Sequence, residues 1–149
     1  MHADENTAPG NPTAAVKPRP WALVAYFLLF ALAAAVTVGW LDPESRHIDF
    51  DLVFPEFYSH TSNLVLSTLL VLAFGMYRLF TGGRLRATVV FALIVIACNY
   101  VYELLLPLWN VKDPVDAHYG AVGALVALAW AAATHRWGVP RGASDPITA

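Results

Sequence analysis

One acidic residue lies within an otherwise apolar stretch of the chain, and its side chain is the strongest candidate for chemistry. Glu103 interrupts the stretch between Ala87 and Trp109, six residues before that tryptophan. At about 1.5 Å per helical residue, its carboxyl group would lie roughly 9 Å inside a membrane interface. A charged group there costs up to about 3 kcal/mol unless it is paired or faces other helices. Glu103 could therefore join helices, or bind a proton, a cation or a lipid head group.

Other polar residues recur at helical spacing. Asn99 lies four residues before Glu103 and would share its helix face. His60, Asn63 and Ser67 are spaced i, i+3, i+7 and would form one polar stripe. Such stripes often serve only to pack membrane helices, at about 0.6 kcal/mol per hydrogen bond. Two interpretations therefore stay open, a packing contact and a ligand site.

A third polar group lies where the last apolar stretch begins. Asp116, Gly120, Gly123 and Ala127 fall on one helix face, and small residues there let another backbone approach closely. We expect Gly120, Gly123 and Ala127 to pack inside a helix bundle, with Asp116 pointing inward. The short loop before Asp116 keeps Glu103, Asp113, Asp116 and His118 in one neighbourhood. The predicted ligand-binding residues are Glu103, Asp116, His118, His60, Asn63 and Asn99.

A metal site is a further possibility, although the sequence does not favour one. His60 and Glu56 are four residues apart and, with Asp116 and His118, offer nitrogen and oxygen ligands. Nothing in the spacing shows that these segments meet, so we predict no metal and no cofactor. Cys98 is the only cysteine, which excludes an intrachain disulfide and a cysteine-rich zinc site.

The elements that position these residues are membrane helices. The chain has 149 residues, 58% of them apolar and 13% charged, about half the charged fraction of a soluble domain. Four stretches are long and apolar enough to cross a bilayer. They cover residues 21–41, 59–79, 87–109 and 117–136. A cleaved signal peptide is the alternative for the first stretch, but its apolar run is longer than usual.

The basic residues predict the orientation. Seven of the nine lie before the first stretch, between the second and third, or after the fourth. The fold prediction is therefore an all-α bundle of four antiparallel transmembrane helices in a bacterial inner membrane, with both termini cytoplasmic. Residues 1–20 and 138–149 would be cytoplasmic tails, the first disordered because it is rich in proline and poor in apolar residues.

One connecting segment alternates apolar and acidic residues. Ile48, Phe50 and Leu52 alternate with Asp49 and Asp51. This period predicts an extended segment that lies on the membrane surface or caps the bundle.

The region from Glu103 to Gly123 resembles the signature of VanZ-like membrane proteins. The matching residues are Glu103-Leu-Leu-Leu-Pro107, Lys-Asp113-Pro-Val-Asp116 and Tyr-Gly120-Ala-Val-Gly123. Members of that family are small polytopic bacterial proteins. The resemblance implies a role in the cell envelope, with Glu103, Asp116 and Gly123 at recurrent family positions, and it implies no enzymatic mechanism.

A second region is similar to the androgen-induced family of intramembrane hydrolases. The matching residues are Phe57-Tyr-Ser-His60-Thr-Ser-Asn63-Leu and, later, Val101-Tyr-Glu-Leu-Leu-Leu106. This resemblance implies cleavage of a lipid ester, with Ser59 or Thr61 as the nucleophile and His118 as the base.

Three functional hypotheses follow from the sequence. The first is a non-catalytic envelope protein whose polar cluster contacts a lipid or cell-wall head group or a cation. The second is the lipid-ester hydrolase, and the third is a structural subunit or homo-oligomer joined through Gly120 and Gly123. Soluble-enzyme motifs are absent, and nucleic-acid binding is disfavoured because the basic residues are few and lie close to the apolar stretches.

Overall fold

A computed structural model describes residues 18–46, 49–105 and 113–138, and in these ranges the chain is helical without strands. The four long helices are α1 (Pro20–Leu41), α2 (Thr61–Phe80), α3 (Leu85–Leu105) and α4 (Pro114–Ala133). One turn of π-helix, Thr134–Gly138, extends α4. All four helices are long and apolar enough to cross a membrane. The predicted all-α class is confirmed, as are four helices long and apolar enough to span a membrane.

The helix ends differ from the predicted spans by a few residues. α2 begins at Thr61, because Phe57–Ser59 forms a separate 3-10 turn. α4 begins at Pro114, three residues before the expected start, because Asp113 caps it and a proline suits the first helical turn. The expected end of the third span at residue 109 lies outside the described residues, as do almost all of both predicted tails.

α4 packs most extensively against α2 and also contacts α3. The closest approach is at Gly123, where an added Cβ would lie 2.2 Å from the carbonyl oxygen of Leu64. At Gly120 an added Cβ would lie 2.5 Å from Cγ of the Asn99 side chain of α3. Ala127 is fully buried in the same core. The small-residue face of α4 is thus filled by α2 and α3 of the same chain.

α1 packs at the other end of α4. The ring of Tyr26 meets the ring of Trp130 edge to face, with centroids 6.3 Å apart. The backbone nitrogen of Arg19 donates a hydrogen bond to the carbonyl oxygen of Gly138 at 2.8 Å. These contacts join the beginning of α1 to the end of the α4 segment.

Large apolar side chains cover the outer faces of the helices. Exposed examples on α1 are Phe27, Leu28 and Leu32, and α4 exposes Val122 and Leu125. A soluble monomer rarely exposes a continuous apolar surface of this kind. A bilayer would cover it.

The segment between α1 and α2 does not have the extended conformation that its alternating sequence predicts. Phe50–Leu52 is a short 3-10 helix and not an extended strand, because the Asp49 side chain accepts a hydrogen bond from the backbone nitrogen of Asp51. Such Asx turns compete with extended structure. Phe50 packs on the ring of Phe57, whereas Leu52 is exposed. Ile48 lies outside the described residues.

The packing at Gly123 yields a first prediction. Gly123→Ala places a methyl group against the Leu64 carbonyl, so α4 must move away from α2. We expect a loss of about 1–3 kcal/mol, the usual cost of overpacking, measured as reduced thermal stability in detergent. Ala129→Leu adds a larger group at an exposed position of α4 and serves as the control. Equal stability of the two variants would contradict this packing.

Candidate functional site

The beginning of α2, the end of α3 and the beginning of α4 meet at one end of the bundle. We call this region the polar end and define it by His60, Asn63, Glu103, Asp113 and Asp116. His60 is 8% exposed and Glu103 is 3% exposed, although both carry ionisable groups. Buried polar groups of this kind require partners, and the structure supplies them.

The imidazole of His60 contacts two carboxyl groups at the start of α4. Its Nδ1 lies 2.7 Å from Asp116 Oδ1 and 3.7 Å from Asp113 Oδ2. Its Nε2 lies 3.9 Å from Oε2 of Glu56, whose side chain is exposed. One ring therefore has acidic groups on both of its nitrogens.

The local sequence of α4 fixes the two aspartates. Asp113 Oδ1 accepts a hydrogen bond from the backbone nitrogen of Val115 at 2.8 Å, which leaves the other oxygen facing His60. Asp116 follows in the first helical turn. A helix N-terminus favours negative charge, so both carboxylates are stabilised where they stand.

Deeper in the bundle, α2 and α3 share two polar contacts. The Asn63 amide donates a hydrogen bond to Glu103 Oε1 at 2.8 Å. One turn further along α2, Ser67 Oγ accepts a hydrogen bond from the Asn99 amide, also at 2.8 Å. Two residues of the predicted stripe, Asn63 and Ser67, thus face the predicted polar face of α3, whereas His60 faces α4. Gly120 leaves the room that the Asn99 side chain occupies.

An open cavity of about 650 Å³ lies beside His60. Its lining includes the carboxylates of Asp51, Glu56 and Asp113 and one guanidinium, that of Arg46. Arg46 is held by a hydrogen bond from its Nε to the carbonyl oxygen of Gly39, 2.9 Å away. Among the residues that the structure describes, the lining consists of Trp40, Arg46, Asp51, Glu56, Tyr58, Ser59, His60 and Asp113.

A second, more apolar cavity of about 510 Å³ lies between α2 and α3. Its polar lining consists of Asn63, Ser67, Asn99 and Tyr102. The contacts between α2 and α3 therefore border a space that opens on the side of the bundle.

His118 lies apart from the His60 cluster. Its side chain is exposed, its Nδ1 contacts the carbonyl oxygen of Pro114, and its ring meets the edge of Tyr100 at 5.6 Å. Because α-helical residues turn by about 100° each, a residue two positions after Asp116 points to a different face. The structure brings His60 to Asp116 and Asn63 to Glu103. Asn99 pairs with Ser67, which is not among the six predicted ligand-binding residues, and His118 faces Tyr100.

The two candidate nucleophiles are engaged with the backbone. Ser59 Oγ donates to the carbonyl oxygen of Glu56 at 2.6 Å, and Thr61 Oγ1 donates to that of Phe57 at 2.9 Å. Thr61 is fully buried. With His118 directed at Tyr100, the described contacts form no nucleophile–base pair of the kind that activates a hydroxyl.

Sequence reasoning missed the residues that complete the cavity wall. Arg46 lies over the Tyr58 ring, 3.9 Å from its centroid, and its Nη1 is 3.4 Å from Asp51 Oδ2. An arginine among the acidic residues of this loop was the available signal. Asp113 was placed in the neighbourhood but not among the ligand residues, although Asp-Pro before a helix marks an N-cap.

Comparisons with models of protein families, with curated proteins and with solved structures find no match to this chain.

The contact between Asn63 and Glu103 generates a second prediction. In a double-mutant cycle with Asn63→Leu and Glu103→Leu, we expect a coupling energy of about 0.6–1.7 kcal/mol, the range for hydrogen bonds between membrane helices. The measurement is reversible unfolding in mixed micelles.

A second cycle supplies the control for this measurement. It pairs Asn63→Leu with Thr134→Val, because the Thr134 hydroxyl donates to the carbonyl oxygen of Trp130 near the end of α4. Coupling within error of zero in the Asn63–Glu103 cycle would show that the contact contributes nothing.

Proposed function

We propose that this chain is a non-catalytic, multi-pass protein of the bacterial inner membrane that binds an amine-bearing lipid head group at its polar end. The observation that carries this proposal is the charge of the large cavity, where the described residues supply three carboxylates and one guanidinium. An occupant with a positive group matches such a lining, because carboxylates form charge-assisted hydrogen bonds with ammonium donors.

The position of the cavity favours a lipid over a soluble amine. Trp40, at the end of α1, lines the cavity, and tryptophan is enriched where a bilayer meets water. The same cavity carries Arg46, which suits the phosphate of a zwitterionic head group. In this arrangement the phosphate lies near Arg46 and the ammonium lies near Glu56 and Asp113.

The proposed topology is antiparallel, with both termini cytoplasmic. Its support is that Asn63, near the start of α2, contacts Glu103, near the end of α3, and that Arg19, just before α1, bonds to Gly138 at the end of the α4 segment. Further support comes from the basic residues, most of which fall on the side of the termini. The polar end then faces away from the cytoplasm.

The resemblance to VanZ-like proteins agrees with a role in the cell envelope, and it enters here as part of the proposal. Two alternatives receive less support from the geometry. A hydrolase would need Ser59 or Thr61 beside a base, and both hydroxyls donate to the backbone. A subunit joined through Gly120 and Gly123 would need these glycines to be exposed to a partner chain. In this chain Asn99 and the backbone of Leu64 pack against them.

Lipid retention provides the test. We expect the protein purified in detergent with EDTA to retain phosphatidylethanolamine in preference to phosphatidylglycerol, as measured by native mass spectrometry. Asp113→Asn with Glu56→Gln should reduce that retention by about fivefold, since partly exposed ion pairs contribute up to about 1 kcal/mol.

The matched control is Glu44→Gln, which removes an exposed carboxylate of the same loop that does not line the cavity. Its retention should equal that of the unmodified chain. Equal retention of the two lipids, or the same loss in the control, would contradict head-group recognition at this cavity.

A further inference from the structure

His60, Asp113 and Asp116 place three metal-binding donors in one small volume. Each residue offers one ligand atom, and these three atoms lie within 4.8 Å of one another. Imidazole nitrogen with carboxylate oxygen is a donor set that suits Zn²⁺ and related transition metals, whereas Mg²⁺ and Ca²⁺ prefer oxygen alone. We propose that these three residues bind one divalent metal ion of the Zn²⁺ class.

The two carboxyl groups converge on the same ring nitrogen. Nδ1 of His60 lies 2.7 Å from the Asp116 oxygen and 3.7 Å from the Asp113 oxygen. A proton on Nδ1 would form a hydrogen bond with Asp116 alone, because 3.7 Å is beyond hydrogen-bond range. A cation between the three atoms interacts with both carboxylates. The 2.7 Å contact with Asp116 is a hydrogen bond in the metal-free protein, and the second carboxylate, beyond hydrogen-bond range, completes the set of donors that a metal ion would share.

The distances are close to those of an occupied site. Zinc bonds of about 2.0–2.1 Å in tetrahedral geometry put neighbouring donor atoms about 3.3 Å apart. The two separations at His60 lie on either side of that value. Side-chain shifts of about half an ångström would make these two separations equal. The third separation, between the two carboxylate oxygens, is no more than 4.8 Å and would have to shorten by up to about 1.5 Å to reach that value.

The other ring nitrogen has the surroundings of a metal-bound histidine. When Nδ1 binds a metal, Nε2 carries the proton, and a carboxylate commonly accepts it. Glu56 Oε2 lies 3.9 Å from Nε2. An exposed side chain such as Glu56 closes that gap by a rotamer change. It would orient the ring without binding the metal.

The site is also held from two helices. Asp113 and Asp116 are set by the capped start of α4, and His60 immediately precedes α2. His60 and Asp113 line the large cavity, so a fourth ligand would come from that side. Three protein ligands with an open fourth position are typical of zinc sites that exchange water or substrate.

Metal binding goes beyond the proposed lipid function and is tested separately. The lipid experiment is performed in EDTA, and the metal experiment uses a detergent without amine or phosphate groups. Failure of either one therefore leaves the other result intact. The two sites share Asp113, so added Zn²⁺ should lower the retention of phosphatidylethanolamine.

The experiment is a titration of the EDTA-stripped, tag-free full chain with Zn²⁺ against a chromophoric chelator. We expect one Zn²⁺ per chain, with no displacement by millimolar Mg²⁺. Removal of residues that orient a metal ligand usually costs 10–100-fold in affinity, so Asp116→Asn should cost more than about 100-fold and Glu56→Gln about 10-fold. Asp113→Asn keeps a capping side chain while it removes the charge, so it reports on binding even if Asp116→Asn fails to fold.

His118→Gln is the control, because it removes an exposed histidine of α4 that lies outside the cluster. Its affinity for Zn²⁺ should be unchanged. Three results would overturn the proposal: no stoichiometric binding, unchanged affinity in folded Asp113→Asn, or an equal loss of affinity in His118→Gln.

Discussion

The close approach of α4 to α2 is the contact on which the rest of the structure depends. At Gly123 the two backbones are so near that a Cβ would lie 2.2 Å from the Leu64 carbonyl oxygen. His60 lies four residues before Leu64, and Asp116 lies seven residues before Gly123. Nδ1 of His60 and Oδ1 of Asp116 are 2.7 Å apart. The absence of a Cβ at Gly123 therefore sets the distance between α2 and α4, the helices whose N-terminal ends carry the candidate site.

Burial of polar groups in an apolar bundle is the second constraint. Asn63 donates to Glu103, and Asn99 donates to Ser67, so two polar side chains of α3 each have a partner on α2. In a bilayer, unpaired groups of this kind have no water to compensate them. The same contacts that allow Glu103 to be buried also align α3 with α2, which brings the end of α3 to the polar end.

Much of this arrangement could be predicted from spacing. Long apolar stretches indicate membrane helices, and the i, i+3, i+7 spacing of His60, Asn63 and Ser67 indicates one face. Spacing along one helix does not reveal the partner on another helix, so the pairing of His60 with Asp113 and Asp116 required the tertiary structure. Closeness in sequence predicts that His118 joins Asp116, but residues two apart on a helix point about 200° apart, and His118 faces Tyr100.

The loop between α1 and α2 is the segment whose conformation differs most from the prediction based on the sequence pattern. Its alternation predicts an extended segment, but the short side chains of Asp42 and Asp49 bond to nearby backbone nitrogens and turn the chain. Local hydrogen bonds of this kind outweigh a weak apolar period. The resulting turns bring Arg46 over Tyr58 and place a guanidinium in the wall of the cavity.

The most direct test of the account asks whether α2 and α4 meet through His60 and Asp116. In a Cys98→Ser background, His60→Cys with Asp116→Cys should be joined by a short thiol-to-thiol crosslinker in native membranes, as detected by mass spectrometry of the digested chain. The pair His60→Cys with His118→Cys should not be joined, because His118 faces Tyr100. Efficient crosslinking of the second pair, or none of the first, would contradict the arrangement of the polar end.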